Sequence, residues 1–273
     1  MSISVLNNVS SLIAENAVSN TQASLQKTLQ QLSTGLKINS GADDPAGLSI
    51  AADLGASISA LTQSSQNASD GIGLLQTADG ALSQVNTILN QAVTIATEAS
   101  NGGLTTDQST ALDTEFQSIL TEITNIGSTT NYNGTAVFSA TAPTTFTSDG
   151  TSSGATTTST TVGALSSTTL KLNSDALTST TKAQTALTDI TAAIDTVSAL
   201  RGTIGASINQ LTSATNVETT QVQNLTSAQN NVQNADIASV TSNMAQYNIL
   251  EQTGFAAISQ SNAAEQNVLK LLQ

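Results

Sequence analysis

The amino-acid sequence predicts a mainly α protein: a long antiparallel helical hairpin or coiled-coil bundle built from both chain ends, with a small central β-rich insert. Three observations predict it. Apolar residues recur at intervals of three and four near both termini, the same spacing persists from Leu187 to Val232, and a Ser/Thr-rich stretch of low complexity separates the two halves.

From Met1 to about Thr34, Val5, Val9 and Leu12, then Leu25, Leu29, Leu32 and Leu36, line one face of a helix. Asn39, Ser40 and Gly41 break the pattern. Asp44 is placed to cap a new helix with Pro45 at its first position, where the missing amide proton costs nothing. Beyond this turn two adjacent seams run along one helix. Ile58, Leu61, Ile72, Leu75, Leu82 and Leu89 form the first, and Leu74, Ala78, Ala81, Val85, Ile88, Ala92 and Ile95 the second, so the helix has more than one neighbour. Asn101, Gly102 and Gly103 end it, and Leu112, Phe116, Ile119, Leu120, Ile123 and Ile126 mark a shorter helix returning alongside. Asn131 to Phe138 carries the turn pair Asn133 and Gly134, which suits a β-hairpin. Small strands and loops are expected from Ser139 to about Ser174.

Stepping by threes and fours from Leu187 to Val232 meets Leu, Ile or Val at most positions, with Arg201, Thr215, Glu218 and Gln229 as local exceptions. Such persistence predicts one helix about 50 residues long, packed in coiled-coil fashion. Asn234 and Asp236 interrupt or cap, and Ile237, Val240, Met244, Tyr247, Ile258, Leu269 and Leu272 mark a final amphipathic helix. The expected division is 1–40, an N-terminal helix; 41–138, further helices and a hairpin; 139–176, the short Ser/Thr-rich insert; 177–233, the long helix; and 234–273, the C-terminal helix. The first and last segments should be neighbours.

Composition narrows the function. His and Cys are absent, which removes the usual zinc ligands, the thiol and imidazole nucleophile systems and the commonest general base near neutral pH. No cofactor, metal or catalytic residue is assigned, and the chain is read as not an enzyme. A net charge of −13 repels nucleic acid phosphates and anionic lipid surfaces, so neither is an expected partner. Only 9% of residues are charged, so faces can pack on copies of themselves with little charge desolvation. The opening residues lack the basic region and apolar run of a cleavable secretory signal, and no apolar run is long enough to span a bilayer. Extracellular placement would therefore need another export route.

Asp43 and Asp44 read as turn and capping groups rather than as a carboxylate pair for catalysis or metal binding, because two oxygen ligands make a weak metal site. Asp70, Gly71 and Gly73, with Asp79 and Gly80, lie in a helical stretch, where the glycines serve close helix approach rather than phosphate binding. Arg201 either pairs with an acid of another helix or subunit or, as the commoner behaviour, lays its stem along the seam with its charge in solvent.

The stretch LSTGLKINSGADDPAGLSIAADL, Leu32 to Leu54, continuing through NASDGIGLLQTADGAL, Asn67 to Leu82, resembles the N-terminal signature of bacterial flagellins. LRGTIGASINQL, Leu200 to Leu211, and NADIASVTSNMAQYNILEQTGFAAISQSNAAEQNVLKLL, Asn234 to Leu272, are similar to the flagellin C-terminal region. The resemblance implies terminal helices lining a filament's inner tube, a surrounding helical layer with a β-hairpin, and a minimal variable region. It also implies uncleaved, unfolded export through the flagellar export apparatus and assembly under a filament cap protein. Hook-filament junction proteins and an export chaperone acting on the C-terminal segment are further implied partners. Many flagellins carry an Arg-rich segment in the second helix that an innate immune receptor recognises. The matching positions here are Gln91, Val93 and Thr94, so receptor recognition is not carried over.

The expected function is that of a flagellar filament subunit, with a hook-filament junction protein as the alternative. A chemoreceptor hairpin, a secretion translocator and a hydrolase rank lower. The expected self-assembly residues are Val5, Val9, Leu12, Leu25, Leu29 and Leu32 at one end and Ile237, Val240, Met244, Ile258, Leu269 and Leu272 at the other; Gly41, Asp44 and Pro45 form the turn. Both arms are expected to gain full order only when neighbouring copies bury their stripes. Hydroxyls in the 139–176 insert are candidate glycosylation sites, the alternative being an unmodified solvated loop.

Overall fold

The computed structural model describes residues 8–138, 144–147, 157–160 and 162–271. Its helices are α1 (Val9–Thr34), α2 (Pro45–Ala99), α3 (Thr106–Thr129), α4 (Thr180–Gln233) and α5 (Ile237–Leu271). Two antiparallel hairpins lie between α3 and α4 in sequence: β1 (Asn131–Tyr132) with β2 (Thr135–Ala136), and β3 (Thr144–Thr147) with β4 (Thr157–Thr160). The mainly helical fold with a small β region is the expected class. The chain divides into two compact units, a terminal one (Met1–Ala56 with Asn224–Gln273) and a central one (Ser57–Gln223).

The central unit owns the core. Leu75, Leu82, Val85 and Leu89 of α2, Phe116 and Ile123 of α3, and Ile190, Ile204 and Leu211 of α4 are fully buried. Along α4 the buried line Ile190, Val197, Ile204, Leu211 and Glu218 repeats every seven residues, the coiled-coil period read from the sequence. The polar member, Glu218, is only 1% exposed, and its Oε1 accepts the Ser64 hydroxyl of α2 at 2.7 Å. That bond explains how a carboxyl-bearing side chain is accommodated in an apolar line. Arg201 takes the less favoured of its two readings: its Nε donates to Asp79 Oδ1 of α2 at 2.7 Å, tying α2 to α4 within one molecule.

α3 starts from a capping box, in which the Thr105 hydroxyl accepts the Gln108 amide while the Gln108 side chain accepts the Thr105 amide. The β1–β2 turn places Asn133 at φ 49° and Gly134 at φ 79°, the two positive angles a tight two-residue hairpin turn requires. Tyr132 then closes over Gly73: a Cβ there would stand 2.7 Å from the tyrosine oxygen, so this glycine makes room for the hairpin's tyrosine rather than for a neighbouring helix. Gly80 serves no close approach, because a Cβ at that position meets open space.

The sequence reading set residues 139–176 apart as an insert. The irregular segment 162–179, which begins inside that range and runs three residues past it, belongs to the core, with Val162, Leu165, Leu170, Leu172 and Leu177 buried against the helices. Backbone polar groups fasten it to α3: Leu177 N–H donates to Asp113 Oδ1 at 2.6 Å, and the Asp175 carbonyl accepts from the Gln117 amide at 2.9 Å. Gly127 of α3 abuts the Leu165 carbonyl so closely that any Cβ would overlap it. The remainder of the insert, apart from β3 and β4, lies outside the described residues.

Candidate assembly surface

In the terminal unit α1 and α5 run antiparallel along their length. Asn8 reaches Glu265 and the Ser261 carbonyl, the Ser11 hydroxyl donates to Asn262 at 3.1 Å, and the Gln22 amide donates to Glu251 at 2.9 Å. Gly254 lies under Val18, where an added Cβ would collide with the valine methyl, so this glycine sets how near the two helices come. Among the described side chains, Ser11, Val18 and Thr28 are the buried positions of α1, and Val240 that of α5. A seam so rich in hydroxyls and amides fixes register through hydrogen bonds while burying little apolar area.

The roots of the two arms are knitted together. α1 ends at Gly35 in the left-handed region, φ 72°. Its carbonyl accepts from Ala235 N–H, Leu36 bridges Asn234, and Lys37 N–H donates to the Gln233 carbonyl. In the turn that follows, Asp43 Oδ2 accepts the Asn39 and Ser40 amides and the Ser40 hydroxyl, while Oδ1 pairs with Lys27 at 2.8 Å. The Lys27 ammonium, then the Asn39 amide and the remaining Ser40 donors, hold the Asp43 carboxyl down to about 2 against a smaller opposing effect of burial. Asp44 Oδ1 accepts the Gly47 amide at 3.0 Å as α2 opens at Pro45. Gly47 itself is wedged between Asp44 and Ile38, whereas Gly41 is exposed with ordinary space around it.

What this pairing leaves uncovered is apolar. Val9 (60% exposed), Leu12, Leu29 and Ile237 of the expected assembly set face solvent, while Leu25, Leu32, Met244 and Ile258 are half-buried and Val240 is buried in the α1–α5 seam. Val5 and Leu272 lie outside the described residues, as does the side chain of Leu269. Ile13, Leu48, Ile50, Ile249, Leu250 and Phe255 (50% exposed) extend the uncovered surface and were not in the expected set. The doublets Leu12–Ile13 and Ile249–Leu250 carried the missing signal, since neighbours in a helix point about 100° apart and cannot both enter one seam. An open groove of about 420 Å³ lined by Val9, Ser11, Leu12 and Asn262 runs beside the seam. Among the described residues no helix is long and apolar enough to cross a membrane, and no cluster of three or more acidic side chains could hold a metal ion.

Comparison with known proteins agrees with this architecture. Residues 5–142 match the bacterial flagellin N-terminal helical region and residues 187–272 the bacterial flagellin C-terminal helical region. A flagellin of Serratia marcescens is 41% identical over 130 residues, which are 48% of this chain and 37% of that protein. Flagellin 1 of Proteus mirabilis is 37% identical over 132 residues, 48% of this chain and 36% of its own length. The matched region thus spans little more than a third of these relatives. The crystal structure of Bacillus cereus flagellin superposes with a TM-score of 0.50 at 27% identity, covering 60% of this chain and 94% of that one. With both helical regions matched and the fold shared, the chain belongs to the bacterial flagellins, a family of structural proteins and not of enzymes.

Proposed function

We propose that this chain is the structural subunit of a bacterial flagellar filament, an extracellular protein that polymerises with identical copies into a helical tube serving as a propeller. The observation that carries this reading is the concentration of exposed large apolar side chains, among the described residues, on the paired chain ends. Val9, Leu12, Ile13, Leu29, Ile249, Leu250 and Phe255 lie on α1 and α5. Each such side chain contributes about 1.5–3 kcal/mol when fully buried, so a neighbour's matching arm stabilises what one molecule leaves in water. The low charge content keeps the desolvation cost of that contact small. The α1–α5 pair buries little apolar area of its own, which supports arms whose order is completed by polymerisation.

The family relationship supports export in an unfolded state through the flagellar apparatus, and encounters with a cap protein, hook-filament junction proteins and an export chaperone. Ser and Thr of the 139–176 insert remain the candidate glycan acceptors, which intact mass measurement of purified filaments decides. Electron microscopy of the purified full chain tests the main reading. Long tubes growing above a critical concentration are expected, and a protein that stays monomeric under all polymerising conditions would instead fit a hook-filament junction role.

A further inference from the structure

The segment 162–179 is fastened to the central unit at a point where acids meet. Asp175 lies between α3, which reaches its carbonyl through Gln117, and α4, which presents Asp189 within hydrogen-bonding reach of its carboxyl. Asp175 Oδ2 is buried and has no hydrogen-bond partner among the described residues. Two carboxylates facing each other offer only acceptors, and a single proton between them turns that opposition into a donated hydrogen bond. The other charged groups on the packed elements are already engaged or exposed. Asp113 of α3 accepts the Leu177 amide, Lys182 of α4 donates to the Thr178 hydroxyl, and Lys171 of the segment itself is exposed. The two ion pairs among the described residues, Lys27 with Asp43 and Arg201 with Asp79, involve neither acid.

We propose that Asp175 and Asp189 form a proton-operated latch, which holds the 162–179 segment against α3 and α4 while one proton is shared and eases it when that proton is lost. Desolvation, then the charge and the hydrogen bond of Asp189, push the Asp175 carboxyl up to about 6. Since the docked segment binds its proton more tightly than a free aspartate, docking is strongest below the usual 3.8 and weakens as pH rises through about 6. It is then flat at higher pH. The Leu177 amide, two residues from Asp175 and held by Asp113 of α3, reports the opening.

The test uses the full chain as a monomer. Amide hydrogen exchange at Leu177, corrected for the intrinsic base dependence, is expected to accelerate by about tenfold or more between pH 4.5 and 7.5. Asp175→Asn, whose amide donates permanently to Asp189, should abolish that acceleration and keep exchange slow at pH 7.5. A corrected rate independent of pH in the native chain, or an unchanged acceleration in Asp175→Asn, overturns the proposal. Carbon-13 titration of the native aspartate carboxyls gives a readout that needs no variant: a midpoint for Asp175 near that of a free aspartate also overturns it, and one near 6 supports it.

Discussion

The terminal and central units are both built from antiparallel helices, yet they dispose of their apolar residues in opposite ways. The central unit encloses Leu75, Leu82, Leu89, Phe116, Ile123, Ile190, Ile204 and Leu211 completely, and Val217 is its single large apolar side chain left exposed among the described residues. The terminal unit buries Val18, Ile38, Ala51 and Val240, and leaves Val9, Leu12, Ile13, Leu29, Leu48, Ile50, Ile237, Ile249, Leu250 and Phe255 in solvent. Helical geometry is common to both. The difference lies in how many faces find a partner inside the molecule: three helices and an irregular segment share one core in the central unit, whereas α1 and α5 have chiefly each other.

The comparison is broken or sharpened by four changes, beginning with the largest. Removing residues 236–273 should abolish polymer altogether while the helical signal of the central unit persists, as read by sedimentation and circular dichroism. Cooperative unfolding of the truncated chain at a much lower temperature would mean the two units are not separately stable. Next, Phe116→Ala, in a fully buried site, should destabilise the central unit by about 3–5 kcal/mol and lower its melting temperature. Phe255→Ser works in the other direction. Half-exposed in the single molecule, it should leave monomer melting nearly unchanged yet raise the critical concentration for polymerisation about tenfold, equivalent to about 1.4 kcal/mol per contact.

The smallest effect concerns acid. Asp43 is held down to about 2 by Lys27 and the backbone donors, so its contribution to the turn is intact above the usual 3.8 and is lost as pH falls through about 2. Amide exchange at Asn39 and Ser40, whose N–H groups it accepts, should quicken over that window. In Asp43→Asn, exchange at both amides should already be raised at neutral pH and show less acid dependence.

The long-range period of the sequence made the helices legible. The α4 line through Ile190, Val197, Ile204 and Leu211 is regular enough to be read by spacing alone, and Asn133–Gly134 announces its hairpin by backbone chemistry. Three features were not readable this way. Asp79, the partner of Arg201, is 122 residues distant, and nothing local distinguishes an ion pair from a solvated charge. Val162, Leu165, Leu170, Leu172 and Leu177 follow no helical or strand period, so their membership in the core was hidden by Ser- and Thr-rich surroundings. On the arms, both the seam and the solvent face carry apolar residues, and periodicity alone does not say which one the molecule covers itself. Val240 went inward and Ile237, three residues earlier, stayed out.

The junction at which Gly35, Leu36 and Lys37 bond to Ala235, Asn234 and Gln233 gives the two arms a common origin. Segments sprung from one root meet at an effective concentration on the order of millimolar, well above that of free copies in dilute solution. Each molecule therefore mates its own α1 with its own α5 before it meets another, and exchange of arms between copies, the ordinary hazard of sticky antiparallel helices, is suppressed by proximity rather than by sequence.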